Sequence, residues 1–236
     1  MHIKKYLIGS NDVDQFLELK LPSFFKMMQE VATEHAEIFN IGKANTLDKG
    51  MFWVITRIEL EIIEHPRYLQ NVVLKTYPGD DLRFIFPRYF LLEDESGKPL
   101  IKASSTWMVL NKQTHHICLN PFEGFKSPTE HVEEELHLPE KVKVSECSLK
   151  ETRKVRYSDI DLNGHLNNTK YIDYIIDLHD SEFYKKNRIV HFLINYEKEL
   201  KDNDVLSLYS NDQNPEYIKG EVDKTAFEVN ITYKDR

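Results

Sequence analysis

The run Tyr157-Ser158-Asp159-Ile160-Asp161-Leu162-Asn163-Gly164-His165-Leu166-Asn167-Asn168-Thr169-Lys170-Tyr171 brings an acid, an amide and an imidazole together, with Asp161, Asn163 and His165 at i, i+2 and i+4. An Asn-Asn-Thr segment able to cap a helix follows directly. A carboxylate or imidazole can take a proton from water, and an amide can hold that water or a carbonyl oxygen. A helix N-terminus offers an oxyanion a partial charge of ~+0.5 without any side chain moving. The chemistry such a set can do is hydrolytic. Asx residues before a glycine also make ordinary turns, and Asn167 or Asn168 has the plain alternative role of N-cap. Four Asx residues and a histidine between 159 and 167 nevertheless exceed what a turn requires.

Those side chains need elements to hold them. A helix is expected over 168–179, apolar through Tyr171, Ile172, Ile175, Ile176 and Leu178. That wide arc suits a helix wrapped by a sheet. A strand ends ahead of it near Tyr157, and strands follow at 189–199, 205–210, 216–222 and 227–233. The first half of the chain has the same order. A helix over 21–40 carries Phe24, Met28, Val31, Ala32, His35 and Phe39 at three- and four-residue spacings, with Pro22 in its first turn and Gly42 beyond its end. His35, on the apolar side, reads as a core histidine. Next comes an alternating strand with Phe52, Val54, Thr56, Ile58, Leu60 and Ile62 on one face and Arg57, Glu59 and Glu61 on the other. Further strands are expected at 72–77, 83–93 and 100–111, the last two joined by a turn at 94–99. Residues 120–140, with three prolines and an acidic run, read as a linker.

Strand, helix and four strands, occurring twice, is a duplication at the level of architecture. The expected fold is α+β: two tandem hotdog domains, each a helix wrapped by an antiparallel sheet, one over 1–140 including the linker and one over 141–236. Pairing two such sheets edge to edge removes an open edge strand from each.

Composition limits the partners. The chain has 236 residues, 41% apolar and 30% charged, enough for one large or two modest domains. No apolar run reaches the ~18–20 residues of a membrane span. The start, Met1-His2-Ile3-Lys4-Lys5, has no signal-peptide stretch, so a cytoplasmic place is expected. Cys118 and Cys147 are too few for a disulfide framework. His115 and His116 have no second ligand pair at usable spacing, and His131 and His137 lie in the acidic segment, so neither metal nor cofactor is expected. A net charge of −8 argues against nucleic acid. The charge is uneven, however. Residues 130–140 hold five acids and no Lys or Arg, while 141–156 hold six cations (Lys141, Lys143, Lys150, Arg153, Lys154 and Arg156) against two acids, a local +4. This stretch is either a solvated face or a docking patch for an acidic partner.

The chain resembles the acyl-ACP thioesterases of plant plastids and many bacteria. Their C-terminal signature, Trp-Ser-Asp-Leu-Asp-x-Asn-x-His-x-Asn-Asn-x-Lys-Tyr, is similar to the run from Tyr157 to Tyr171. Their Gln-Glu-x-Ala-x-x-His helix is matched by Gln29-Glu30-Val31-Ala32-Thr33-Glu34-His35, and their Trp-Val-x-Thr-Arg strand by Trp53-Val54-Ile55-Thr56-Arg57. An Ala-Ser-Ser-x-Trp strand followed by Asn-Lys is matched by Ala103-Ser104-Ser105-Thr106-Trp107 and Asn111-Lys112. Four motifs in register are specific where one would be weak.

The resemblance implies that Asp161, Asn163 and His165 are catalytic, joined by a glutamate from a later strand, here Glu199. Taken alone, Glu199 at a strand end is a surface charge. A family proposal of a cysteine nucleophile directly after this glutamate fails here, because Leu200 stands at that place. Attack by water or a carboxylate is left, with Asp161 and Glu199 both open as the principal base. Asn167 and Asn168, at the helix start, are candidates for substrate binding. The implied activity is hydrolysis of fatty acyl-ACP to free fatty acid and carrier protein, with Lys150, Arg153, Lys154 and Arg156 as candidates for docking the acidic carrier. The first half has no Asp-x-Asn-x-His ahead of its helix, so it is expected to be non-catalytic and to shape the acyl-chain pocket. Alternatives are an acyl-CoA thioesterase of the hotdog superfamily and a non-catalytic acyl-binding hotdog protein. A homodimer is compatible with either, and acyl chain length is left open.

Overall fold

The structure is a computed structural model that describes residues 1–80, 82–122 and 136–236, in two compact units, Met1–Pro139 and Glu140–Arg236. Most of the expected linker, 123–135, lies outside the described residues.

The N-terminal unit begins with β1 (His2–Leu7), the strand that the repeated order implies ahead of the first helix but to which the sequence pattern assigned no residues, and continues into α1 (Leu21–Ile38). Leu21, Phe24, Phe25, Met28, Val31, Ala32 and His35 line the buried face of α1, which packs on β1 and β3. A short α2 (Lys43–Asp48) leads into β2 (Met51–Ile62), β3 (Asn71–Pro78), β4 (Phe86–Asp94) and β5 (Pro99–Asn111). In β2 the expected single face is broken. Ile58, Leu60 and Ile62 are buried, but upstream the buried residues are Met51 and Ile55. A bulge between Ile55 and Arg57, against β5, adds one residue and turns the preceding side chains to the other face. Trp53 thereby packs on the cluster of Ile41, Met51, Val109 and Phe122. His35 is 3% exposed, with its Nδ1 3.1 Å from Arg88 Nη1. Burial, then the Arg88 charge, pushes its pKa down to about 4.

The C-terminal unit holds β6 (Ser148–Lys154), α3 (Asn168–Ile176), α4 (Ser181–Lys186), β7 (Asn187–Tyr196), β8 (Val205–Ser210), β9 (Glu216–Glu221) and β10 (Thr225–Asp235). The helix expected over 168–179 stops at Ile176, because Asp180 caps a new helix by accepting from the Phe183 N–H. The strand expected over 189–199 ends at Tyr196, which leaves Glu199 in the following loop. Tyr171, Ile172, Tyr174 and Ile175 bury one face of α3, and the Tyr171 ring meets Tyr196 and Phe227 edge-on at 5.3 and 5.4 Å.

All strand pairs within each unit are antiparallel, in the orders β1-β3-β4-β5-β2 and β6-β8-β9-β10-β7. Numbered within its own unit, each sheet runs first, third, fourth, fifth, second, with the main helix after the first strand. This is the hotdog arrangement, repeated. Among the described residues no helix is long and apolar enough to cross a membrane.

Candidate active site

The segment between β6 and α3 is a turn built around Asp161. Its Oδ1 accepts the backbone N–H groups of Asn163 (2.7 Å) and His165 (3.3 Å), and its Oδ2 accepts from Asn163 Nδ2 at 3.3 Å. The Asp161 N–H donates to the His165 carbonyl at 2.8 Å, closing the turn. Gly164 takes φ +83°, a left-handed conformation that favours glycine. Asn167 is the N-cap of α3. Its Oδ1 accepts from the N–H and hydroxyl of Thr169 at 2.9 and 2.8 Å. Asn168 is the first residue of the helix. Asp159 braces the turn from behind, accepting from the Arg156 N–H (2.9 Å) and the Tyr174 hydroxyl (2.6 Å).

Glu199 reaches this turn from the loop after β7. The N–H groups of Glu197 and Lys198 both donate to the Ala226 carbonyl, and Lys198 pairs with Asp223. The Leu166 N–H donates to the carbonyl of the fully buried Leu200 at 2.7 Å, which ties the loop to the turn. The Tyr171 hydroxyl donates to the Lys198 carbonyl at 3.4 Å. Between these anchors Glu199 Oε2 lies 3.2 Å from His165 Nε2, with the side chains 32% and 20% exposed. Of the four residues singled out, His165 and Glu199 thus meet directly, while Asn163 and Asp161 bond to each other. Loop and turn form a partly open acid–imidazole pair beside a helix N-terminus, a geometry able to deprotonate water next to a polarised carbonyl.

The basic stretch is less uniform than its sequence. Lys150 pairs with Asp212, and Arg153 pairs with Glu151 and Asp177 while its guanidinium lies 4.7 Å over the Tyr174 ring. Lys154 and Arg156 are exposed. Among the described residues no group of three or more His, Cys, Asp or Glu side chains could hold a metal ion.

A turn of the same construction precedes α1 in the N-terminal unit. Asp14 Oδ1 accepts the N–H groups of Phe16 (2.8 Å) and Glu18 (3.1 Å), and the Asp14 N–H donates to the Glu18 carbonyl at 2.9 Å. Leu17, with φ +60°, takes the place of Gly164. Bridges Val13–Leu19 and Ile160–Leu166 flank the two turns. The Leu19 N–H donates to the Pro66 carbonyl at 2.8 Å, as Leu166 does to Leu200. This counterpart, Asp14-Gln15-Phe16-Leu17-Glu18, lacks the Asp-x-Asn-x-His pattern. The signal was Asp12-Val13-Asp14 and Glu18-Leu19 set against Asp159-Ile160-Asp161 and His165-Leu166.

Residues 1–123 match the acyl-ACP thioesterase N-terminal domain model and residues 142–235 the acyl-ACP thioesterase C-terminal domain model. The chloroplastic acyl-[acyl-carrier-protein] hydrolase FATB3 of Cuphea viscosissima is 24% identical over 220 residues, covering 86% of this chain and 52% of that protein. The chloroplastic oleoyl-acyl carrier protein thioesterase 2 of Arabidopsis thaliana is 22% identical over 241 residues, covering 91% and 64%. The chain spans about half the length of the Cuphea relative. An acyl-ACP thioesterase from Bacteroides thetaiotaomicron shares the fold with a TM-score of 0.90 at 24% identity, covering 98% of this chain and 97% of that one. The 12:0-ACP thioesterase from Umbellularia californica does so with a TM-score of 0.80 at 16% identity, covering 99% and 97%. With both halves matched in order, the chain belongs to the acyl-ACP thioesterase family.

Proposed function

We propose that the protein hydrolyses fatty acyl-ACP to a free fatty acid and the carrier protein, using the C-terminal unit for chemistry and the N-terminal unit to receive the acyl chain. The observation that carries this reading is the 3.2 Å His165–Glu199 pair beside the N-terminus of α3. Glu199, assisted by His165, takes a proton from water, and the water oxygen attacks the thioester carbonyl. The positive end of the α3 dipole, which begins at Asn168, polarises that carbonyl. The C–S bond breaks and the proton returns to the leaving sulfur. Asp161 is a positioning residue in this scheme. Asp14 makes the same two backbone bonds in a turn that has Phe16 and Glu18 where the C-terminal unit has Asn163 and His165, which favours a turn-building role for the acid at this place.

The test is turnover of an acyl-ACP panel beside the matching acyl-CoAs, with His165→Ala as blank. Glu199→Gln should cost ~10²–10⁴-fold in kcat. Asp161→Asn keeps an oxygen for the two N–H groups and should cost at least tenfold less than Glu199→Gln. Parent-like turnover by Glu199→Gln, or a larger loss in Asp161→Asn, would reverse the assignment. A parent protein inactive on every acyl-ACP would end it.

A further inference from the structure

The repeated turn brings a second pair of titratable side chains together. In the C-terminal unit His165 stands on the turn and Glu199 directly precedes Leu200, whose carbonyl receives the Leu166 N–H. In the N-terminal unit the residue in the turn position of His165 is Glu18, and the residue directly before Pro66 is His65. The loops agree further on. Arg67 N–H donates to Gln70 Oε1 and Lys201 N–H to Asp204 Oδ2, both at 2.8 Å. Leu69 and Asn203, both at positive φ, donate to the carbonyls of Ile8 and Val155. These backbone bonds therefore correspond between the two sites, with acid and imidazole exchanged, while the N-terminal turn has in addition the Tyr68 N–H donating to the Leu17 carbonyl at 3.0 Å.

The exchanged pair is in reach but shut. Glu18 Oε2 lies 3.8 Å from His65 Nδ1, against 3.2 Å for the C-terminal pair. The side chains are 3% and 10% exposed, against 32% for Glu199 and 20% for His165. Arg67, 60% exposed, reaches over from the loop and places Nη2 3.1 Å from Glu18 Oε1. The guanidinium thereby occupies the Glu18 oxygen that does not face His65. Phe16, in the place of Asn163, also removes the amide.

We propose that Asp14, Glu18 and His65 form a second, occluded thioester-hydrolysing site in the N-terminal unit, held closed by the Arg67–Glu18 ion pair. The inference rests on the thioesterase reading of the C-terminal site. When the site is open, Glu18 takes a proton from water. The water oxygen forms a C–O bond to the thioester carbonyl as the C–S bond breaks, and the proton passes through His65 to the departing sulfur, giving a carboxylic acid and a thiol.

The experiment uses the full chain with the C-terminal pair removed, His165→Ala with Glu199→Ala, and a butanoyl thioester of N-acetylcysteamine as probe. In that background Arg67→Ala should raise hydrolysis at least about tenfold, and adding His65→Ala should return it to the blank. Diethyl pyrocarbonate should label His65 faster in the Arg67 variant than in the background, reporting that the site has opened. Labelled but inactive protein overturns the proposal, as does a gain that survives His65→Ala. Arg67→Gln, which keeps a donor toward Glu18 without the charge, serves as second variant. If both Arg67 variants unfold, the ion pair is a requirement of the fold and the latch is refuted. Failure of the C-terminal reading shows separately, as a parent chain that hydrolyses no acyl-ACP.

Discussion

Gly220→Ala connects packing to chemistry in one substitution. Gly220 in β9 stands opposite Phe227 in β10. A Cβ there would lie 2.1 Å from Phe227 Cε1, 2.4 Å from Cζ and 2.7 Å from Cδ1, all well inside contact distance. Phe227 is fully buried, and its ring already meets Tyr171 edge-on at 5.4 Å, so it cannot swing aside freely. Overpacking of this kind costs about 1–3 kcal/mol. For a chain of this size each kcal/mol moves the melting temperature by roughly 2–4 °C, so a fall of about 2–12 °C is expected in calorimetry. The displaced ring presses on Tyr171, whose hydroxyl anchors the loop that carries Glu199. Misplacing a reacting group by about 1 Å can cost ~10²-fold, so kcat should fall at least tenfold while KM for acyl-ACP changes little. Phe227→Leu added to Gly220→Ala should recover part of both losses, because the branched chain vacates the ring edge. Melting within 1 °C of the parent together with unchanged kcat would refute the reasoning.

Two further outcomes are expected. His35, held at about pKa 4 against its ordinary 6.5, takes up a proton in the unfolded chain before it does in the folded one. Stability should therefore decline as pH falls from 6.5 to 4, by up to about 3 kcal/mol from this group. Urea midpoints at pH 7 and pH 4.5 should differ less for His35→Gln than for the parent, and equal differences would exclude the effect. At the basic stretch, Lys154→Glu with Arg156→Glu should raise KM for acyl-ACP several-fold more than for acyl-CoA, since the carrier is acidic and both side chains are exposed. Equal changes on both substrates would remove the docking role.

Local features were legible without coordinates. The duplicated order of elements, the Asp161–His165 turn and the helix beginning at Asn168 all follow from side chains that bond to backbone within four residues, or from apolar spacing along one helix. Such interactions leave their mark in consecutive letters. The cap belongs to the same class, narrowed by the sequence to Asn167 or Asn168 and found at Asn167.

Other features depend on partners distant in the chain. The bulge in β2 is a matter of register against β5, and alternation read along β2 alone carried Phe52, Val54 and Thr56 to the wrong face. Glu199 gained its importance in the sequence only through the family, because its contact with His165 spans 34 residues and is made by a loop anchored on Ala226, Leu166 and Tyr171. The second turn at Asp14 was hidden for a related reason. Its backbone hydrogen bonds repeat those at Asp161, but backbone groups are the same in every residue, so the bonds persisted while Asn, Gly and His gave way to Phe, Leu and Glu. The letters alone determined where a hydrolytic turn could stand. Only the tertiary structure, by closing long-range hydrogen bonds that no residue type encodes, decided which acid meets the imidazole and that the arrangement occurs twice.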